Sequence, residues 1–178
     1  MKDERNHCNL FVADHHNKAV RTVAVADGHV GTFVKSNLLY NIHGVAQDRL
    51  GTLYLTANNA IITVNYNRRE AVLLAGTSTH QHGLIDGGYL TARFSIVQEI
   101  VFVRENLLMV ADLGNHKLRL IDLISRSVST VDFCGSQHAS GCLDLRSPIS
   151  IYVEEGAVVV GMSGKVLKLT CKCSFTAP

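Results

Sequence analysis

The sequence predicts an all-β protein built from repeated units of four short antiparallel strands. Three observations support this fold class: a short phrase recurs along the chain, brief apolar segments alternate with turn residues, and no segment has the length and period of a helix. Four short strands repeated about every 40–50 residues are typical of β-propeller blades. We therefore expect blades that stack on one another, because a single blade cannot bury both of its faces.

The recurring phrase marks the second strand of each unit. It is NLFVAD at 9–14 and LMVAD at 108–112, with looser copies LYLTA at 53–57 and VVVGM at 158–162. Val12, Val110 and Val159 are therefore predicted on second strands. The phrase divides a single repeat region, 1–178, into approximate blades 9–41, 42–95, 96–147 and 148–173.

The remaining strands of each unit flank this phrase. Apolar segments at 43–48, 99–103 and 150–154 precede it, and segments with period-2 alternation such as KLRLID at 117–122 follow it. A last short segment closes the unit at 31–34, 71–74 and 129–133. Asp27-Gly28 and Asp86-Gly87-Gly88 are turn signals between strands.

The chain also resembles the NHL-repeat propellers. The resemblance rests on Ala75-Gly76, Gly83, Asp86-Gly87, Ala92 and Phe94, followed by VADLGNHKLRLID at 110–122. It is closest over residues 71–131. One departure is Val97, which stands where the family usually has the proline that Pro148 retains.

The resemblance implies an incomplete ring. NHL propellers commonly have six blades, whereas this chain holds about four, beginning at a second strand and ending after a third or a ragged fourth. We expect a fragment of a larger propeller, although an unusually small ring or completion by another chain are alternatives. An open ring leaves blade faces and strand edges exposed.

Charge and hydropathy exclude several classes of partner. The 178 residues include 17 Lys and Arg against 15 Asp and Glu, for a net charge of +2. This balance lacks the electrostatic footprint of nucleic-acid binding, so no nucleic acid is expected. No apolar run reaches the length of a membrane span, and the first ten residues are too polar for a secretory signal.

The five cysteines leave the compartment unknown. Cys134 and Cys142 bracket a short loop and are candidates for a disulfide if the chain is extracellular, which the cysteines allow. Scattered free thiols are the alternative. No cysteine pair has zinc-finger spacing.

The histidines provide a candidate partner-binding face. In antiparallel blades, the loops between second and third strands emerge on the same side as the loops between blades. This side is predicted to carry His15, His16, Asn17, His80, His82, Asn115, His116 and His138, with His29 on the other side. No metal site is predicted, and His80 and His82 are only weak candidates. Because an ordinary histidine titrates near 6.5, we expect partner affinity at this face to depend on pH.

Two charged positions recur and suggest a structural role. Asp14 and Asp112 end second strands, where a short polar side chain usually bonds the backbone of its own turn. Arg21 and Arg119 follow at equal spacing and are expected to bridge or cover adjacent strands.

The most economical function is a non-enzymatic module for protein–protein interaction. No phosphate-binding loop, nucleophile elbow or HExxH motif is present, so no catalytic residue and no cofactor are predicted. Two alternatives come from the family resemblance: a metal-dependent enzyme resembling the amidating lyases, and an RNA-binding NHL domain. Fold alone decides none of these.

Overall fold

The computed structural model describes residues 9–79, 81–131 and 145–170. These residues form strands and three short 3-10 turns. No helix in these ranges is long and apolar enough to cross a membrane. The strands are β1 (Asn9–Asp14), β2 (Ala19–Ala24), β3 (Val30–Lys35), β4 (Ile42–Gln47), β5 (Leu53–Ala57), β6 (Ala60–Val64), β7 (Ala71–Gly76), β8 (Gly87–Gly88), β9 (Val97–Arg104), β10 (Leu107–Asp112), β11 (Lys117–Asp122), β12 (Ser127–Thr130), β13 (Pro148–Glu154), β14 (Ala157–Met162) and β15 (Lys165–Thr170).

The strands form four antiparallel sheets. Sheet 1 has the order β1-β2-β3, sheet 2 β4-β5-β6-β7, sheet 3 β8-β12-β11-β10-β9 and sheet 4 β13-β14-β15. These sheets confirm the predicted all-β fold of antiparallel blades, and they do not close into a ring. Val12, Val110 and Val159 lie on β1, β10 and β14.

The two closest copies of the repeated phrase form the same hairpin. In sheet 1 Val12 pairs with Arg21, and in sheet 3 Val110 pairs with Arg119. Each hairpin turns through a 3-10 turn, at His15–Asn17 and Leu113–Asn115. The next residue, Lys18 or His116, has a φ near +50° in the left-handed region. The sequence repeat is therefore also a repeat of backbone geometry.

The core lies between successive sheets. Strand alternation gives each central strand one face toward the preceding sheet and one toward the following sheet. In sheet 3, Leu108 and Val110 pack toward sheet 2, whereas Met109 and Ala111 pack toward sheet 4. Strand β9 contacts both β4 and β13 along the inner side of the stack. This is the arrangement of propeller blades about a central axis.

Strand β8 reaches the outer edge of sheet 3. Gly87 and Gly88 lie in the range predicted for the second blade, 42–95, yet they pair with Val128 and Ser127 of β12. The segment that connects β7 to β9 therefore crosses sheet 3 and covers its outermost strand before the chain enters β9 at Val97.

Candidate functional site: the loop face

Three hydrogen bonds join hairpin turns to the segments that enter the inner strands. His15 Nδ1 lies 3.1 Å from the carbonyl oxygen of Ile42 at the start of β4. Asn115 Nδ2 donates to the Gly83 carbonyl at 2.7 Å. The Ser147 N–H donates to His116 Nδ1 at 3.0 Å, just before β13. We call this surface the loop face. It is formed by turns 15–18 and 113–116, the start of β4, residues 81–96 and residues 145–147.

A histidine cluster lies on the loop face beside sheet 1. The ring centroids of His15 and His16 are 4.8 Å apart, and those of His15 and His43 are 4.6 Å apart. Partial burial, with a smaller contribution from His15, lowers the pKa of His43 below its usual value of 6.5. His43 was not among the predicted site residues, because it lies within an apolar inner-strand segment and not in a loop.

The histidine cluster does not form a three-ligand metal group within the described residues. Across residues 9–79, 81–131 and 145–170, no three His, Cys, Asp or Glu side chains are placed to hold a metal ion. His82 is exposed in the 81–96 segment, which Asn115 anchors at the neighbouring Gly83. His80 and His138, together with Cys134 and Cys142, lie outside the described residues.

The carboxylate of Asp112 connects the third hairpin to the 81–96 segment. Its Oδ1 accepts the Ser95 N–H at 2.8 Å, and its Oδ2 accepts Asn115 Nδ2 at 2.8 Å and Arg119 Nη1 at 2.8 Å. Burial raises the pKa of Asp112, and these hydrogen bonds act in the opposite direction. The expectation that Asp112 bonds the backbone of its own turn is wrong. The N–H groups of the turn do not donate to the Asp112 carboxylate, because Arg119 and the Ser95 N–H donate to it instead.

Arg119 carries this network to the outer edge of sheet 3. Its Nη2 lies 2.7 Å from Asp86 Oδ1 and its Nη1 also donates to the Arg93 carbonyl. Asp86 in turn accepts the N–H and the hydroxyl of Thr130 on β12. The guanidinium carbon lies 5.0 Å from the centre of the Phe94 ring. Arg119 therefore bridges adjacent strands, as predicted, and its side chain is fully buried.

Sheet 1 contains a smaller version of the same network. Asp14 Oδ2 lies 2.8 Å from Arg21 Nε, and both Asp14 oxygens accept Asn17 Nδ2. Arg21 also donates through Nη1 to the Thr32 hydroxyl. The side-chain bonds from Arg21 and Asn17 lower the pKa of Asp14 most, and the backbone of Asn17, in the same turn, adds a smaller contribution in the expected manner.

The 81–96 segment is held from both sides. Asn59, in the turn between β5 and β6, accepts the Ile96 N–H at 3.0 Å, while Asp112 binds the adjacent Ser95. Gly114 packs so closely that a Cβ there would lie 2.7 Å from the Ser95 carbonyl oxygen. The connection between two sheets is therefore a fixed part of the loop face.

The predicted site residues divide into two groups. His15, Asn115 and His116 use a ring nitrogen or side-chain amide in contacts that fix the fold. His16 and His82 are exposed, as is Asn17 apart from its bond to Asp14. The second group forms the part of the loop face that is accessible to a partner.

A groove of about 490 Å³ lies on the opposite side of the sheets. It runs between the β4–β5 and β9–β10 turns, and Arg49 and Glu105 approach each other across it at 3.8 Å. Leu50 on its rim is 91% exposed.

Comparison with known proteins gives one curated sequence relative. No family model matches the chain. Over 155 residues the chain is 28% identical to NHL repeat-containing protein 2 of Bos taurus, a match that covers 73% of the chain and 21% of the bovine protein. The chain thus spans about a fifth of the length of this relative.

Solved structures show the same fold at low sequence identity. A protein of unknown function from Bacteroides thetaiotaomicron superposes with a TM-score of 0.73 at 19% identity, covering 93% of this chain and 44% of that one. A chain of the nidogen/laminin complex superposes with a TM-score of 0.63 at 15% identity, and the match covers 91% of this chain and 55% of that one. A catalytically inactive virginiamycin B lyase from Staphylococcus aureus, solved with quinupristin, superposes with a TM-score of 0.62 at 13% identity. The match covers 92% of this chain and 48% of the lyase chain. The repeated hairpins and these folds show that the chain forms β-propeller blades, and the bovine relative supports their likeness to NHL repeats.

Proposed function

We propose that the chain is a non-enzymatic propeller module that binds a protein partner through its loop face. The observation that carries the proposal is the set of three hydrogen bonds that fix this face, from His15 to Ile42, Asn115 to Gly83 and Ser147 to His116. A surface held in place before binding loses less conformational entropy when a partner binds.

The exposed side chains on this face suit a polar protein surface. His16 and His82 each offer an aromatic ring with two polar nitrogens, and Asn17 offers both a donor and an acceptor. The fold likeness to a chain of the nidogen/laminin complex is consistent with a binding role, although it extends to the lyase as well. The proposal therefore rests on the geometry of the face.

Site-specific photo-crosslinking tests this proposal. A photoreactive amino acid is placed at position 16, at position 82 or, as the matched control, at position 50 on the opposite side, and the protein is irradiated in an extract of cells that produce it. We expect one discrete protein adduct from positions 16 and 82 that excess unlabelled protein suppresses. Adducts that form equally or better from position 50, or none from 16 and 82, would contradict the proposal.

A further inference from the structure

We propose that the groove on the side opposite the loop face is a separate binding site for a free amino acid with a large apolar side chain. The groove encloses about 490 Å³, within the range of roughly 300–1,000 Å³ that is typical of small-molecule sites. Its walls are the β4–β5 turn and the β9–β10 turn, together with the ends of the strands that they join. Strand β9 contacts both β4 and β5, so the two walls belong to sheets that pack directly on each other.

The floor of the groove is apolar and aromatic. The Tyr54 and Phe102 rings are perpendicular, with their centroids 5.5 Å apart, and Leu123 lies beside them in the groove. Phe102 and Leu123 are partly buried and pack against the core of sheet 3, so the floor is held in place before a ligand binds. An apolar side chain would cover this floor, and an aromatic one could add an edge-to-face contact.

The rim of the groove carries two positive and two negative side chains. Each wall contributes a neighbouring pair of opposite sign, Asp48 with Arg49 and Arg104 with Glu105. A ligand with only a carboxylate or only an ammonium group would meet a like charge beside each of its partners. A zwitterion can place each of its charges against an opposite one. The rim therefore fits the ammonium and carboxylate groups of a free amino acid.

Three of the four charged side chains are accessible to a ligand. The Arg49 guanidinium and the Glu105 carboxylate approach each other at 3.8 Å, but these side chains are 86% and 66% exposed. Such an exposed pair is weak, so a ligand can replace it. Arg104 is exposed and makes no side-chain hydrogen bond within the described residues.

Asp48 fixes its wall and keeps acceptor capacity on one oxygen. Its Oδ1 accepts the N–H groups of Leu50 and Thr52 at 2.9 and 2.8 Å, which sets the shape of the turn. Its Oδ2 accepts the Tyr54 hydroxyl at 3.3 Å. Burial and then the nearby Asp48 raise the pKa of Tyr54 to about 12, so this hydroxyl stays protonated. Because the contact is long and a carboxylate oxygen has two lone pairs, Oδ2 can also accept from an ammonium group.

The backbone of the walls favours a small molecule over a peptide strand. In the β4–β5 turn, the Asp48 N–H donates to the Thr52 carbonyl at 3.0 Å, and the Gly51 N–H donates to the Asp48 carbonyl at 3.1 Å. On the other wall, the Asn106 carbonyl accepts the Leu123 N–H at 2.9 Å. These groups are already paired, whereas a peptide that binds as an added strand needs a row of free N–H and carbonyl groups.

Titration of the isotope-labelled protein with L-phenylalanine, followed by nuclear magnetic resonance, tests this inference. We expect saturable shifts of the Leu50 and Glu105 amides and of the Arg104 Nε–H at about 1 mM ligand or below. Three matched probes each lack one part of the ligand: phenethylamine lacks the carboxylate, 3-phenylpropanoate lacks the ammonium group, and glycine lacks the apolar side chain. Each should bind at least about tenfold more weakly, because it leaves one charge or the floor without a partner.

Two protein variants complete the same titration. Arg104→Gln and, separately, Glu105→Gln should each weaken binding of L-phenylalanine about fivefold or more, because a charge-assisted contact becomes neutral. The matched control is Arg68→Gln, which removes an exposed cation in the β6–β7 turn, outside the groove, and should bind like the wild type. Well-dispersed spectra show that each variant is folded.

Several results would overturn the inference. These are unchanged groove signals at millimolar L-phenylalanine, equal binding of any of the three probes, or a groove variant that binds like Arg68→Gln. Shifts centred on His16 and His82 would place the ligand on the loop face and would overturn it as well. None of these results bears on the protein partner of the loop face, because that proposal is tested by crosslinking from positions 16 and 82.

Discussion

Arg119 and Asp112 form an ion pair in which both side chains are completely buried, with Nη1 and Oδ2 2.8 Å apart. Arg21 and Asp14 make a contact of the same length in sheet 1, but their side chains are 33% and 24% exposed. The two pairs come from the same repeated phrase. Their different burial follows from the 81–96 segment, which covers only the pair in sheet 3.

Removing the buried cation should strongly destabilise the fold. Arg119→Met leaves Asp112 buried without its charge partner, and we expect the free energy of unfolding to fall by about 3–5 kcal/mol. Urea denaturation followed by circular dichroism measures this. Arg21→Met is the matched control and should have a much smaller effect, because solvent screens a partly exposed pair. Equal losses for the two variants would contradict the assigned difference in burial.

The Asp86 contact should stabilise the fold only while the carboxylate is charged. Burial acts to raise the pKa of Asp86, but hydrogen bonds from Thr130 and Arg119 outweigh it and hold the pKa below 3.8. A depressed pKa in the folded state gives stability that is present above the unfolded value and lost as pH falls through the folded value. We therefore expect the stability difference between the wild type and Asp86→Asn to be largest near neutral pH and to shrink below about pH 4. A difference that grows on acidification would disprove this assignment.

Close packing at Gly114 should make this position intolerant of a side chain. A Cβ there would lie 2.7 Å from the Ser95 carbonyl oxygen, so Gly114→Ala must displace the 81–96 segment. We expect a loss of about 1–3 kcal/mol in the free energy of unfolding and faster amide exchange in that segment. At Gly83 the nearest contact of a Cβ is an ordinary 3.6 Å to Arg93. Gly83→Ala should therefore be nearly neutral, and a similar loss for both variants would count against the packing argument.

His43 should titrate below an ordinary histidine. Burial and the nearby His15 lower its pKa, so the neutral ring is favoured in the folded protein. The associated stability is present above pH 6.5, the unfolded value, and declines as pH falls through the folded pKa. Titration of the imidazole Hε1 signal measures the pKa directly, and His15→Gln should raise it by removing one of its two causes. A His43 pKa at or above 6.5, or no rise in the variant, would refute this.

The strands were predictable because period-2 alternation and turn residues are local signals. Val12, Val110 and Val159 fall on the equivalent strands as predicted. The partners of Asp14 and Asp112 were not predictable, because the competing donors come from arginines seven positions away and, for Asp112, also from the Ser95 N–H in a different segment. Strand β8 was missed because two glycines have no side-chain pattern. His43 was missed because its inner-strand position becomes part of the loop face only when the chain folds.

The most direct test of the central claim is calorimetric binding to the partner that crosslinks at position 16. The loop-face variant His16→Ala/Asn17→Ala/His82→Ala is compared with Leu50→Ser/Ile124→Ser, which changes two exposed residues on the opposite side. We predict that the loop-face variant weakens binding at least about tenfold, the loss of one or two well-placed polar contacts, and that the control binds like the wild type. Unchanged affinity for the loop-face variant, with weakened affinity for the control, would contradict the account.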